Sequence, residues 1–207
     1  MDGIVGFGPV GLTEGTVEGE DTVPTFMNNL YASRLIVSHP TFCCLVGIII
    51  QATFFVVCHG CYRCANLQPE ETLGVYFAPL VGSETDDANG EISLGGVDHS
   101  KFRDPLFYYP ITTADQFSSY WGIDVSRVTY GDSTLGANRA AIVDTGTTLI
   151  LLPTSVYNAF VNAAGGTTDA NSGLAKFTSK PTGTFGIGFG EQCFTLTPDE
   201  YLIPEVQ

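Results

Sequence analysis

Asp144-Thr145-Gly146 lies within the stretch Ala140-Ala141-Ile142-Val143-Asp144-Thr145-Gly146-Thr147-Thr148-Leu149-Ile150-Leu151-Leu152-Pro153. A carboxylate between two apolar, β-branched runs is costly to bury unless its ionisation is used, and the glycine that follows permits a tight turn that can donate hydrogen bonds to it. That combination suits an acid–base carboxylate, one that takes a proton from water and returns it. Asp-Thr-Gly is also an ordinary turn tripeptide. The flanks tip the balance towards chemistry. A second candidate is Cys58-His59-Gly60-Cys61-Tyr62-Arg63-Cys64, whose two-residue gaps suit tetrahedral zinc ligation. It lacks the second pair of ligands that makes such spacing specific, so no metal is expected.

The elements that would hold Asp144 follow from its neighbours. Ile142-Val143 and Leu149-Ile150-Leu151-Leu152 are too apolar for surface strands, which predicts two buried strands with Asp144 at the tip of the turn between them, facing an open half-cleft. Across 207 residues, 24 Gly and 11 Pro interrupt runs rich in Thr, Val, Phe and Tyr. That pattern reads as an all-β chain with few and short helices. Eight Lys and Arg stand against 22 Asp and Glu, a net charge of −14, which argues against nucleic acid or anionic membranes as partners.

Asp2-Gly3-Ile4-Val5-Gly6-Phe7-Gly8, Val23-Pro24-Thr25-Phe26, Gly74-Val75-Tyr76-Phe77, Gly90-Glu91-Ile92-Ser93-Leu94-Gly95-Gly96-Val97-Asp98 and Tyr120-Trp121-Gly122-Ile123 stand ahead of the Asp-Thr-Gly. In that order they resemble the pepsin-like aspartic proteases, most closely the secreted fungal type. The resemblance implies an all-β, bilobal fold present incompletely, mainly as the C-terminal lobe, and peptide-bond hydrolysis by a water activated between two Asp carboxylates, with no cofactor. It implies Asp144 as one catalytic carboxylate, Thr145, Gly146 and Thr147 as its supports, and Tyr120 and Ile142 as substrate-binding residues. Phe185 to Gly190 and Phe194 to Pro198 resemble a hairpin of that lobe. The sequence holds one Asp-Thr-Gly and no Asp-Ser-Gly. The expectation is therefore a fragment, inactive as a monomer; the alternatives are a homodimer with one Asp per chain, or a noncatalytic, membrane-associated remnant. A peptide or protein is the substrate the family implies.

Residues 22 to 69 break this pattern. They contain no Asp or Glu and five of the six cysteines, Cys43, Cys44, Cys58, Cys61 and Cys64. Residues 41–58 form an uncharged run of 18, at the threshold of a transmembrane helix. Residues up to Ser33 read on into Leu67 as the family's short helix leading to its interlobe strand, so three segments are expected: 1–33, the end of the N-terminal lobe; 34–66, an apolar, Cys-rich insert; and 67–207, the interlobe strand and partial C-terminal lobe. The insert reads first as a translated unspliced intron, with a membrane segment or a loop peculiar to this chain as alternatives. Relatives of the type are secreted, whereas Met1 to Val5 has no basic, apolar leader of a signal peptide. Cys193 is expected to be a buried or free thiol.

Overall fold

The computed structural model describes residues 6–35, 44–50, 54–60, 73–77, 90–96, 98–102 and 105–203. The chain divides into two compact units, Met1–Ile123 with Ala140–Thr145, and Asp124–Arg139 with Gly146–Gln207.

In the first unit the helix α1 (Phe26–Ala32) starts at Thr25, whose backbone N–H and hydroxyl both donate to Asn28 Oδ1 at 2.9 Å. Thr25 and Asn28 thus do the work of a capping pair for donors the helix cannot satisfy itself. A five-stranded sheet follows the order β4-β3-β2-β1-β5, built from β1 (Cys44–Ile50), β2 (Phe54–Gly60), β3 (Leu73–Tyr76), β4 (Glu91–Leu94) and β5 (Phe107–Pro110). Its pairings are antiparallel, and one row, Phe107, Ile48, Val56, Val75 and Ile92, crosses all five strands in register. β-branched and aromatic residues suit such an extended backbone. Leu73 and Val75 are buried, while Ile92 and Leu94 on the edge strand β4 remain exposed.

This arrangement bears on the membrane-helix alternative for the insert. The apolar run 41–58 is not one helix: Cys44–Ile50 and Phe54–Gly60 are two antiparallel strands of seven residues each. Ile48-Ile49-Ile50 and Val56-Val57 have the branching that favours the extended backbone over a helix, and 18 apolar residues do not by length alone choose between the two. Among the described residues no helix is long and apolar enough to cross a membrane.

Also in the first unit, residues 111–123 form a braced loop. Ile111 and Ile123 bridge antiparallel, and the Thr112 N–H donates to the Gly122 carbonyl at 3.0 Å. Within the loop the Phe117 and Ser118 N–H groups both donate to Ala114, and that of Tyr120 to Phe117. Gly122 is required here for space. A Cβ on it would stand 2.5 Å from the Phe117 carbonyl oxygen and 2.7 Å from Thr112 Cγ2.

The second unit centres on an antiparallel sheet of order β11-β10-β6-β7, from β6 (Gly122–Tyr130), β7 (Ser133–Ile142), β10 (Phe185–Phe189) and β11 (Gln192–Leu196), with a small pair β8 (Thr167–Thr168) and β9 (Ala175–Lys176). β10 and β11 pair from Phe185 opposite Leu196 to Phe189 opposite Gln192, so the hairpin expected at that place is present. Alternation in Phe185-Gly186-Ile187-Gly188-Phe189 puts the bulky residues on one face and the glycines on the other. The glycine face admits Thr129, Ser126 and Arg127 from the neighbouring strand. Cys193 sits on β11 as a free thiol, and it is exposed.

The helix α2 (Thr154–Ala163) begins directly after Pro153 and buries Val156, Phe160 and Val161. Phe160 is the hub of an edge-to-face aromatic cluster, with ring centroids 5.5 Å from Tyr130, 5.5 Å from Phe185, 5.8 Å from Tyr201 and 6.1 Å from Phe177. Gly183 closes the cluster: its N–H donates to the Tyr130 hydroxyl at 3.1 Å and its carbonyl accepts from the Tyr201 hydroxyl at 3.0 Å. Tyr201 closes the short helix α3 (Pro198–Tyr201).

Two predictions follow from these contacts. Burial first, and then hydrogen bonding to Tyr130, push the Tyr201 phenol above its ordinary range. A phenol whose folded pKa is raised stabilises the fold fully below the unfolded value near 10 and loses that contribution as pH rises beyond it. Tyr201→Phe should accordingly flatten the alkaline limb of a stability profile followed by denaturant titration; an unchanged slope above pH ~10 would contradict the assignment. Gly122→Ala should cost about 1–3 kcal/mol in the same measurement, because the methyl meets a backbone oxygen that cannot rotate away.

Candidate active site

Ile142 ends β7, and the next residue, Val143, donates its N–H to the Trp121 carbonyl at 2.9 Å. Asp144 follows, and the chain turns at Thr145 and Gly146. Tyr120 precedes Trp121, so that one backbone bond draws Tyr120, Ile142 and Asp144 to a common point of the first unit. Tyr120 is 40% and Ile142 44% exposed, and Asp144, Thr145, Gly146 and Thr147 are exposed too. Exposed aromatic and aliphatic groups beside an exposed carboxylate make a surface able to take an apolar side chain next to a polar group. Thr145 belongs to the first unit, while Gly146 and Thr147 belong to the second.

The two buried strands expected around Asp144 are not found. The first flank is strand only as far as Ile142. The second, Leu149 to Leu152, is neither strand nor buried: Leu149, Ile150 and Leu151 are 41%, 43% and 78% exposed. An apolar run reports a preference for burial, but burial also needs an element in reach to cover it, and here the run ends at Pro153 and enters α2 without pairing.

Sequence reasoning passed over Trp121 as a site residue. Its indole N–H donates to the Phe7 carbonyl at 3.0 Å, and the Phe7 ring stands edge-on to Phe26 at 5.6 Å. The signal was present in the Tyr-Trp-Gly-Ile motif, but nothing local in it tells which residue its indole will meet, 114 positions away. Among the described residues no group of three or more His, Cys, Asp or Glu is placed to hold a metal ion. Of the zinc candidate, Cys58, His59 and Gly60 lie on β2, and Cys61 and Cys64 fall outside the described residues.

Comparison with known proteins identifies the family. The sequence model of the eukaryotic aspartyl proteases matches residues 70–207. Polyporopepsin of Irpex lacteus is 31% identical over 210 residues, covering 99% of this chain and 52% of that protein. Rhizopuspepsin of Rhizopus chinensis is 34% identical over 137 residues, 63% of this chain and 33% of its own. The crystal structure of the aspartic proteinase from Irpex lacteus superposes with a TM-score of 0.66 at 30% identity, over 96% of this chain and 51% of that one. The chain thus spans about half the length of the first of these relatives. With a family model matched over residues 70–207 and a fungal pepsin aligned along nearly its whole length, the chain belongs to the pepsin-like eukaryotic aspartyl protease family.

Proposed function

We propose that the chain supplies one half of the acid–base dyad of an aspartic endopeptidase, with Asp144 as its carboxylate. The observation that carries this reading is the exposed Asp-Thr-Gly turn, held by the Val143–Trp121 bond beside the exposed Tyr120 and Ile142. Hydrolysis of a peptide bond by water needs one group to take the water's proton and another to polarise the carbonyl. Two facing carboxyls that share a proton do both, because they cannot both ionise cheaply at close range. The 207 residues hold one Asp-Thr-Gly, so the second carboxylate comes from outside them, in further sequence or a second copy. Thr145, Gly146 and Thr147 support Asp144, and Tyr120 and Ile142 contact the substrate. A net charge of −14 favours a peptide or protein substrate over nucleic acid, and the likeness to fungal pepsins favours a secreted protein.

The 207-residue chain by itself is expected to show no endopeptidase activity at acid pH and to bind pepstatin no better than its Asp144→Asn variant, since a statine hydroxyl needs two carboxyls. Sedimentation of the same samples should show a monomer. Acid-dependent cleavage by a sedimenting dimer, abolished by Asp144→Asn, would instead establish that two copies assemble the dyad.

We also propose that residues 34–66 are an addition to the family's chain. The family match begins at residue 70, and no acidic residue occurs from 22 to 69. Strand parity supports removability: β5 runs antiparallel to β1, β1 to β2 and β2 to β3, so β3 and β5 are themselves antiparallel. Taking out the pair β1 and β2 leaves two strands able to close on each other. Deletion of Arg34 through Asn66 should raise the soluble yield and leave the melting temperature unchanged or higher. Aggregation of the deleted chain, from two exposed strand edges, would show the segment to be integral. Release from carbonate-washed membranes on deletion would mark it as a membrane anchor.

A further inference from the structure

We propose that Trp121 is a positioning residue for Asp144, an inference that rests on the reading of Asp144 as the acid–base carboxylate. Asp144 is exposed. One constraint on where it stands acts through the backbone, one residue earlier, where the Val143 N–H meets the Trp121 carbonyl. That carbonyl is useful only if Trp121 itself stays in place.

Trp121 is held from two sides. Its indole N–H donates to the Phe7 carbonyl at 3.0 Å, and the Phe7 ring is in turn braced edge-on by Phe26 of α1. On the C-terminal side, the Gly122 carbonyl accepts from the Thr112 N–H, and Ile123, only 1% exposed, bridges to Ile111. The side chain therefore anchors one edge of the residue and the strand the other, with the carbonyl that receives Val143 between them. A residue that only filled space would need the ring and not its N–H, and a hydrocarbon ring of similar size would serve. The N–H, aimed at a backbone oxygen on a distant segment, is what ties residues 6–8 to the turn at Asp144. Small displacements of a reacting carboxylate are costly in rate, so a clamp one residue away is where such control belongs.

The test separates the N–H from the ring. In Trp121→Phe the indole bond is lost while the aromatic packing is largely kept. A net hydrogen bond shifts a local opening equilibrium by about fivefold, so the Val143 amide should exchange with solvent about fivefold faster. Amides of β10 in the second unit should exchange as before. The sequence has a single Trp, which gives one unambiguous indole N–H resonance. That resonance should exchange slowly in the native chain and shift in Asp144→Asn. Unchanged Val143 exchange in Trp121→Phe would overturn the proposal. So would an indole N–H that exchanges like a free indole or ignores Asp144→Asn. If Trp121→Phe does not fold, the indole measurements on the native and Asp144→Asn chains decide. Neither readout involves peptide hydrolysis, so failure of the dyad in an activity assay and failure of this positional link are told apart.

Discussion

Where the Val143 N–H meets the Trp121 carbonyl at 2.9 Å, the end of a long strand is fixed against a loop, and the chain beyond it is free to turn. The path of the first unit's chain into the Asp-Thr-Gly turn depends on that bond. β7 brings residues 133–142 to the point of departure, and the bridge between Ile111 and Ile123 fixes the other end of the contact. A carboxylate that must stay open to water cannot be located by burial, because burial would raise the cost of its charge. The backbone hydrogen bond one residue upstream of the exposed Asp144 fixes the strand end from which it departs. Gly122 belongs to the same solution, since its missing Cβ lets the 112–122 loop close tightly enough to present the Trp121 carbonyl.

In the second unit the corresponding constraint is steric. Phe160 reaches four aromatic rings only because small residues let the backbone come close. Gly183 lies under the Tyr130 ring, where a Cβ would stand 2.5 Å from its Cζ, and Gly136 lies under Val156, where a Cβ would stand 2.7 Å from its Cγ2. Edge-to-face rings add specific geometry to their buried area, so the cluster fixes how α2 and α3 lie on the sheet as well as that they do. The Tyr130 hydroxyl accepts from the Gly183 N–H and the Tyr201 hydroxyl donates to the Gly183 carbonyl, which satisfies that half-buried residue's two polar groups.

Much of this was legible in the sequence. The family resemblance of Phe185 to Gly190 and Phe194 to Pro198 marked their hairpin, and the Asp-Thr-Gly with its preceding apolar residues marked the turn after β7. The family order of the motifs was legible as well. Failures came where a local pattern has two physical outcomes. Residues 41–58 are apolar enough for a helix or for a pair of strands, and the choice rests on pairing with β3 and β5, which no window of sequence displays. Leu149 to Leu152 looked buried because apolar residues prefer burial, yet their exposure depends on what stands over them. Trp121 escaped notice for the reason that long-range contacts generally do: its partner, Phe7, is fixed by the fold and not by its neighbours.

Acidity acts on this chain in two opposed ways. With 22 acidic and 8 basic residues, lowering pH removes mutual repulsion and so favours the compact state. Against that, some carboxylates hold turns together through their ionised form. The Ser100 backbone N–H, and then its side chain, keep Asp98 below the ordinary carboxylate range, and the Ser172 hydroxyl, and then its backbone N–H, do the same for Asp169. A depressed pKa contributes stability that is present above the unfolded value and is lost as pH falls through the folded one. These turns therefore keep their bonds to more acid conditions than an unaided Asp would allow. Both groups are exposed, so their contribution is local and open to screening by salt, and it acts on the loop around 98–101 and on the turn between β8 and β9.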